Sequence, residues 1–269
     1  MGVDNPLVSV VVPSFNEPRH VITQSLDSLR SQTLGDFECI VVDESTDAAA
    51  ANTCRALCER DQRFRYVHPE VRLGLAASLN LGISLARAPL IARFDSDDIC
   101  MPDRLACQVA YMEAHAEVGV LGGNLEIIDE SGETLAFRSY PEAHDVIERK
   151  LQLTTPIAHP TVMLRKSLIT LHGGYDPSFR FAEDLDLWLR LANRDVRFAN
   201  LPKVLVRYRQ QQTSRDRRHW EFNLLARKAN FGKRHLFRRV AGLCIFSVWG
   251  KLPPVIQQCV FRGLLLSKR

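Results

Sequence analysis

Short apolar runs alternate with amphipathic segments through the N-terminal third of the chain. The runs are rich in β-branched residues and have the length of buried strands, at residues 8–12, 37–42, 64–67 and 90–94. Apolar positions between them follow helical spacing, at residues 18–32, 46–60 and 75–87. Strands that alternate with helices of about a dozen residues imply right-handed crossovers. The pattern therefore predicts an α/β fold with a mainly parallel sheet.

Polar residues at the strand ends predict where the first two helices begin. Asn16 is expected to be the N-cap of the first helix, with Pro18 in its first turn. Ser45 or Thr46 is expected to cap the second helix.

The pattern becomes mixed after residue 100. A helix is predicted from residue 102 to about 115 and another over 146–153, and a third begins near residue 181. Strand-like runs follow one another with turn signals between them, at residues 118–121, 125–128, 134–137, 161–164, 196–198 and 204–208. This half of the chain is not built from simple βα units.

Three of the predicted strands end in polar residues. Pro13 and Ser14 follow the first, Asp43 and Glu44 the second, and residues 95–98 (DSDD) the fourth. Such residues are also common in ordinary turns. However, ligands of parallel sheets bind beyond the carboxyl ends of the strands, and clustered carboxylates favour a divalent cation that bridges to phosphate. Three polar ends at one rim favour a metal and phosphate site over three unrelated turns.

Composition fits one large α/β domain or a domain with an appendage. The chain has 269 residues, of which 46% are hydrophobic and 25% charged. Its seven cysteines show no C-x-x-C spacing, and their odd number favours reduced thiols over a disulfide framework. The N-terminal residues lack the features of a signal peptide. We therefore expect a cytoplasmic protein.

The charge is distributed unevenly between the two ends of the chain. Residues 1–202 hold 19 Lys and Arg against 29 Asp and Glu, whereas residues 203–269 hold 16 against 2. The region from 214 to 269 mixes basic and apolar residues, and its apolar run at 240–248 is too short to cross a bilayer, which takes about 20 residues. We divide the chain into a domain at 1–213 and a basic, helical extension at 214–269. The extension either lies on a membrane surface or packs on the core.

Several segments together resemble family 2 glycosyltransferases with the GT-A fold. The resemblance covers about residues 7–210, and the extension after it has no counterpart. Its segments are VSVVVPSFNE at 8–17, QSLDSLRSQT at 24–33, IVVDESTD at 40–47, GLAASLNLGI at 74–83, FDSDD at 94–98, AHPT at 158–161 and EDLDLWLR at 183–190.

The resemblance implies a Rossmann-like central sheet flanked by helices, a nucleotide-sugar donor and inversion at the anomeric carbon. A UDP-linked donor is favoured, with Mn²⁺ or Mg²⁺ as cofactor. Asp97 would bind the metal, assisted by Asp95. The nucleotide would be bound by Pro13, Ser14, Phe15, Glu17, Asp43, Asp95 and Ser96.

By the same resemblance, Asp184 is the general base and Glu183 is the second choice. Acids in a first helical turn are also favoured by the helix dipole alone. His159 is expected near the acceptor or the diphosphate, or else as a structural histidine. Arg190 is equally compatible with a phosphate contact and with a structural ion pair.

Two departures from the family pattern bear on the predicted function. Many relatives carry a His after the equivalent of Tyr208 and Arg209, whereas this chain has Gln210. Processive synthases carry Gln-x-x-Arg-Trp beside membrane spans, but here Arg215 is followed by Asp216. Transfer of a single sugar is therefore expected.

The expected acceptor is a glycan or a polyprenyl-linked glycan of surface polysaccharide biosynthesis, and the basic extension suggests peripheral contact with the inner face of the membrane. One alternative is a sugar nucleotidyltransferase, although residues 13–17 contain neither the Gly nor the Lys of its phosphate loop. The other is a non-catalytic nucleotide- or nucleic-acid-binding module. Acidic residues at the rim argue against nucleic acid because carboxylates repel phosphate.

Overall fold

A nine-stranded sheet with helices packed around it forms the centre of the protein. The computed structural model describes residues 5–210 and 217–249. The strands are β1 Val8–Ser14, β2 Phe37–Asp43, β3 Phe64–Val67, β4 Leu90–Arg93, β5 Ile99–Cys100, β6 Val118–Ile128, β7 Thr134–Arg138, β8 Met163–Arg165 and β9 Arg197–Arg209. The helices are α1 Arg19–Arg30, α2 Ala48–Cys58, α3 Leu75–Leu85, α4 Arg104–Ala114, α5 His144–Leu151, α6 Lys166–His172, α7 Glu183–Ala192, α8 Arg217–Ala229 and α9 Leu236–Trp249.

One half of the sheet is parallel, in the order β3-β2-β1-β4. In the register of β1 and β2, Val8 pairs with Phe37 and Ser14 with Asp43, so the two strands end together. Every residue of β2 is buried, which explains its continuous apolar run. The predicted βα units are confirmed here.

Beyond β4 the sheet is mixed rather than parallel. Strand β8 runs antiparallel to both β4 and β6, β9 is parallel to β6, and β5 and β7 add antiparallel edges. The change follows from the connections, since the turn at Asp129–Gly132 joins β6 and β7 as a hairpin. The fold is a mixed α/β fold whose first half is Rossmann-like.

Strands β6 and β9 are each continuous where the sequence predicts two shorter strands. Their pairing shifts between Gly123 and Asn124, which lie opposite Leu201 and Val204. Pro202 and Lys203 fall in this irregularity, and a proline has no N–H to donate to a ladder. The irregularity accommodates the interruption without ending either strand.

The predicted helix caps are wrong. Asn16 has a φ of 53°, and its side-chain oxygen accepts hydrogen bonds from the N–H groups of Thr46 and Asp47 at 2.9 and 3.0 Å. Asp47, not Ser45 or Thr46, caps α2 by accepting from the N–H of Ala49 at 2.9 Å. Asn16 therefore ties the loop after β1 to the loop after β2.

The described part of the C-terminal region packs on the core. The guanidinium of Arg227 on α8 donates to the carbonyl oxygens of Leu151 and Gln152 at 2.9 and 2.5 Å. The side chain of Asn230 donates to Asp186 on α7 at 2.8 Å. Residues 211–216 and 250–269, which include the predicted boundary at 213, lie outside the described residues. Within 5–210 and 217–249, none of the helices has the length and apolar character needed to span a membrane.

Candidate active site

The ends of β1, β2 and β4 lie at one rim of the sheet, as the polar strand ends predict. The N–H of Glu44 donates to the carbonyl oxygen of Ser14 at 2.9 Å, which joins the first two ends next to Pro13. The hydroxyl of Ser96 donates to Glu17 at 3.1 Å, which joins the loops after β1 and β4. The rim residues of all three strands therefore form one continuous polar surface.

Phe15 lies at the outer edge of this rim and is 37% exposed. The guanidinium of Arg72 lies 3.9 Å from the centroid of its ring and 3.8 Å from a carboxylate oxygen of Glu44. A cation at this distance over an aromatic face is attracted to it. The loop that carries Phe15 is thus held against the loop that precedes α3.

Asp43 is fully buried at the end of β2. One of its oxygens accepts from the N–H and hydroxyl of Ser45 at 3.1 and 2.6 Å, and the other accepts from the hydroxyl of Tyr66 at 2.9 Å. The imidazole Nδ1 of His68 is 3.9 Å away. These contacts fix the orientation of the carboxylate.

The loop after β4 gathers three carboxylates. One oxygen each from Asp95, Asp97 and Asp98 lies within 4.8 Å of the others. Asp98 is fully buried, and one of its oxygens accepts from the N–H of Arg209 at 2.8 Å. Its other oxygen is buried with no hydrogen-bond partner among the described residues. A buried acceptor without a donor is costly, so a cation is well suited to this position.

Electrostatic strain in this acidic cluster shows in the pKa values. Burial, followed by the charges of Asp95 and Glu17, raises the pKa of Asp97 to about 7. Burial and the two neighbouring carboxylates raise the pKa of Asp98 well above its usual range. Burial also raises the pKa of Glu17. Too little positive charge faces these groups, and a divalent metal ion would relieve the repulsion.

Arg209, at the end of β9, fixes the backbone of the acidic cluster. Its guanidinium donates to the carbonyl oxygens of Asp97, Asp129 and Glu130 at 3.0, 3.1 and 2.7 Å, and to the side chain of Gln24 at 2.9 Å. Sequence reasoning missed this role because the partners are up to 185 residues away.

Arg93 is a buried cation between the acidic cluster and the start of α7. Its guanidinium forms an ion pair with Asp95, and the side chain is only 6% exposed. Its positive charge also partly offsets the raised pKa of Glu183 at the start of α7. Arg93 was not among the predicted residues, because its position next to the acidic motif carries no separate sequence signal.

The start of α7 meets the acidic cluster from the other side. Burial, followed by the charge of Asp184, raises the pKa of Glu183 to about 8, and Asp95 adds to the shift. Asp184 is partly exposed, and one of its oxygens accepts from the N–H of Leu185 at 2.7 Å. The structure thus brings the predicted base candidates and the metal candidates into one site, although they are almost 90 residues apart in the sequence.

His159 lies between this helix and Tyr175. Its Nε2 is 2.9 Å from the hydroxyl of Tyr175, and its Nδ1 is 3.8 Å from a carboxylate oxygen of Glu183. Burial and the charge of Arg93 lower the pKa of His159 well below its usual range, so the ring is neutral and forms no ion pair. The side chain of Asn80 holds the backbone of Tyr175 through two hydrogen bonds of 2.7 and 2.9 Å.

The guanidinium of Arg190 donates its hydrogen bonds to other groups of the protein. Its Nε donates to Asp186 at 3.0 Å, and its terminal nitrogens donate to the carbonyl oxygens of His172 and Gly174 at 3.0 and 2.6 Å. Of the two predicted roles, these contacts favour the structural ion pair. Arg190 holds the loop that carries Tyr175.

Comparison with known proteins agrees with this geometry. The family model "Glycosyl transferase family 2" matches residues 9–171. The O-antigen biosynthesis glycosyltransferase WbnJ of Escherichia coli is 33% identical over 206 residues, which cover 76% of this chain and 79% of WbnJ.

Solved structures of TarS and of PcManGT share the fold. TarS 1-349 from S. aureus in complex with UDP-GlcNAc superposes with a TM-score of 0.68 at 20% identity, covering 89% of this chain and 71% of that chain. In a longer TarS structure, the match spans 42% of that chain. The mannosyltransferase PcManGT from Pyrobaculum calidifontis, in complex with GDP-Man and Mn²⁺, has a TM-score of 0.65 at 20% identity and covers 98% and 81%.

The family match covers more than half of the chain and includes all three strand ends of the rim. Sequence relatives, fold and site therefore point to the same class of enzyme. This protein belongs to glycosyl transferase family 2 and is a glycosyltransferase with the GT-A fold.

Proposed function

We propose that the enzyme transfers one sugar, with inversion, from a UDP-linked donor to a glycan or lipid-linked glycan in surface polysaccharide biosynthesis, at the cytoplasmic side of the membrane. The observation that carries the proposal is the acidic cluster beside Glu183 and Asp184, in which a buried oxygen of Asp98 has no partner within residues 5–210 and 217–249. The O-antigen role in the name of WbnJ and the UDP-GlcNAc bound to TarS support it.

Asp97 and Asp95 would hold the metal, and Asp98 is added to this predicted pair. All three present carboxylate oxygens, the ligands that Mn²⁺ and Mg²⁺ accept. When bound, the metal would neutralise the charge that develops on the diphosphate leaving group. The Mn²⁺ in the GDP-Man complex of PcManGT supports this assignment.

The loops after β1 and β2 would hold the nucleoside. Phe15 offers an exposed aromatic face at the rim, and Asp43 offers a carboxylate whose orientation is fixed by Ser45 and Tyr66. The hydrogen bond between Ser96 and Glu17 joins the loop after β1 to the loop after β4, which carries the acidic cluster. Pro13 and Ser14 would shape the inner wall of this part of the site.

Asp184 is the better general base of the two acids. A base must be ionised before it can accept the proton of the acceptor hydroxyl. Glu183 is buried with a pKa of about 8 and is mostly protonated at neutral pH, whereas Asp184 is partly exposed to an incoming acceptor. Neutral His159, held by Tyr175, would line the acceptor side next to Glu183.

The proposal is tested by thermal unfolding of the full chain with a panel of nucleotide sugars, each with Mn²⁺, with Mg²⁺ and with chelator. A ligand that binds only the folded state raises its stability. We expect UDP-sugars to raise the unfolding midpoint only when metal is present. An equal shift with chelator would contradict the metal site, and pyrophosphate release from a nucleoside triphosphate and a sugar phosphate would indicate a nucleotidyltransferase.

A further inference from the structure

The outward face of α9 is apolar along its whole length. Phe237 is 92% exposed, Val248 60%, Ile245 50%, Val240 46% and Leu236 45%. The same helix turns its other side to the core, where Arg239 and Gly242 are buried. Arg239 donates there to the side chain of Asn193 at 2.6 Å.

This pattern is the reverse of that of an ordinary surface helix. Such a helix buries its apolar side and exposes polar residues. Phe237, Ala241, Cys244 and Val248 are exposed and three or four residues apart, so they form a stripe over three turns along the middle of this outward face. A contiguous apolar surface of this kind marks a contact with a protein or a membrane.

The charges around the stripe indicate which kind of partner it contacts. Lys228 on α8, Lys233 in the loop between the two helices and Arg238 on α9 are exposed. A second copy of this chain docked on the same face would bring these exposed basic residues close to their own copies. Basic residues around an apolar helical face are the combination that binds anionic lipid surfaces.

We propose that the outward face of α9, defined by Leu236, Phe237, Val240, Ile245 and Val248, lies on an anionic bilayer surface. The apolar side chains enter the boundary between headgroups and acyl chains, and the flanking lysines and arginines contact anionic headgroups. The helix lies in the plane of the membrane.

This docking also orients the candidate active site. Asn230, the residue after α8, links this pair of helices, α8 and α9, to α7 through its hydrogen bond to Asp186. The ring of Phe222 on α8 lies 6.0 Å from that of Phe181, two residues before Glu183. The start of α7 would therefore be close to the lipid surface. This orientation rests on the proposed function, since it would present the base to a lipid-linked acceptor, but the membrane contact itself does not.

The test is co-sedimentation of the full chain with vesicles of phosphatidylcholine alone or mixed with phosphatidylglycerol. We expect binding to the anionic vesicles that weakens with salt, and little binding to the neutral ones. Phe237→Glu should lower the partition coefficient at least about tenfold, because it removes apolar area and adds a repelled charge. The matched control is Phe137→Glu on β7, where a phenylalanine of 69% exposure lies on the sheet edge.

Several results would overturn the proposal. These are failure of the full chain to bind anionic vesicles, or equal losses for Phe237→Glu and Phe137→Glu. A lower unfolding midpoint for Phe237→Glu than for the control, without vesicle binding, would show that residues 250–269 or a second copy cover the stripe. The assay contains no donor, metal ion or acceptor, so its outcome is independent of the proposed sugar transfer.

Discussion

The acidic cluster after β4 and Asp186 on α7 both consist of buried carboxylates, but they differ in how far the surrounding groups compensate the negative charge. In the cluster, Asp97 and Asp98 repel each other, and an oxygen of Asp98 has no hydrogen-bond partner in the part of the chain that the structure describes. On α7, both oxygens of buried Asp186 accept hydrogen bonds, from Arg190 at 3.0 Å and from Asn230 at 2.8 Å. The cluster is unsatisfied, whereas Asp186 is fully paired.

The difference distinguishes carboxylates suited to bind a ligand from a carboxylate that holds the fold together. Repulsion among buried carboxylates lowers the stability of the protein alone, and a ligand that neutralises them recovers it. The paired network of Asp186, by contrast, holds α7, α8 and the loop of Tyr175 in place. Glu183 lies between the two, with its charge opposed by Asp184 and assisted by Arg93.

The largest effect is expected when the cluster loses its proposed metal ligand. Asp97→Ala should lower sugar transfer about 10⁴-fold, which corresponds to roughly 5 kcal/mol of lost leaving-group stabilisation. The measurement is release of nucleoside diphosphate under saturating Mn²⁺. Activity within a few fold of the wild type would remove Asp97 from the metal site.

Loss of the proposed base should have the next largest effect. Asp184→Asn should lower turnover about 10³-fold, because a positioned base contributes 10²- to 10⁴-fold. Glu183→Gln is the matched comparison and should reduce turnover less, since Glu183 is already mostly protonated at neutral pH. If Glu183→Gln is the more damaging change, the two assignments must be exchanged.

The same substitution should change stability in opposite directions in the two regions. Without metal, Asp98→Asn should raise the free energy of unfolding, since a neutral amide avoids the burial and repulsion that raise the pKa of Asp98. Asp186→Asn should lower it by about 1.5–3 kcal/mol, because it weakens hydrogen bonds to a buried carboxylate. Denaturant unfolding of both variants measures this, and changes of the same sign would contradict the contrast.

A smaller effect is expected from pH. The raised pKa of Asp97 means that the metal-free folded protein keeps a proton that the unfolded chain loses at lower pH. This contribution to stability is complete below the unfolded pKa and is lost as the pH rises through about 7. Metal binds the deprotonated form, so its affinity should rise by up to about tenfold per pH unit up to that value.

Thermal unfolding with and without Mn²⁺, at about pH 6 and about pH 8, measures the trend. We expect a larger metal-induced shift at the higher pH, and a weaker pH dependence in Asp97→Asn. A shift that does not change with pH would show that Asp97 is already ionised without metal.

The hydrophobic pattern of the sequence was sufficient to predict the parallel half of the sheet. It also predicted that the polar residues at the ends of β1, β2 and β4 lie at one rim. The run at 64–67 coincides with β3, and β2 differs from the prediction by one residue. Strand β2 is buried on both sides, so its apolar run is nearly continuous, whereas β3 lies at the sheet edge and is only partly buried. Strands β6 and β9 were predicted as four pieces because a glycine pair and Pro202 end a strand locally, whereas long-range pairing carries it through.

Sequence reasoning placed the acids of the site but not the groups that hold them. Arg209 contacts Asp97 across 112 positions and Gln24 across 185, and Tyr175 is held by Asn80 across 95. Such contacts depend on the folded topology and leave no periodic signal. The Asn16 cap was wrong for the same reason, because its partners, Thr46 and Asp47, are on a different loop.

In the proposed mechanism, the acidic cluster binds the metal and nucleotide, whereas a separate carboxylate on α7 accepts the proton of the acceptor. Calorimetric titration of UDP into Asp97→Ala and Asp184→Asn, with and without Mn²⁺, tests it most directly. We predict that Asp184→Asn binds UDP with the metal dependence of the wild type and that Asp97→Ala does not bind it measurably. Equal, metal-dependent binding by both variants would contradict the account.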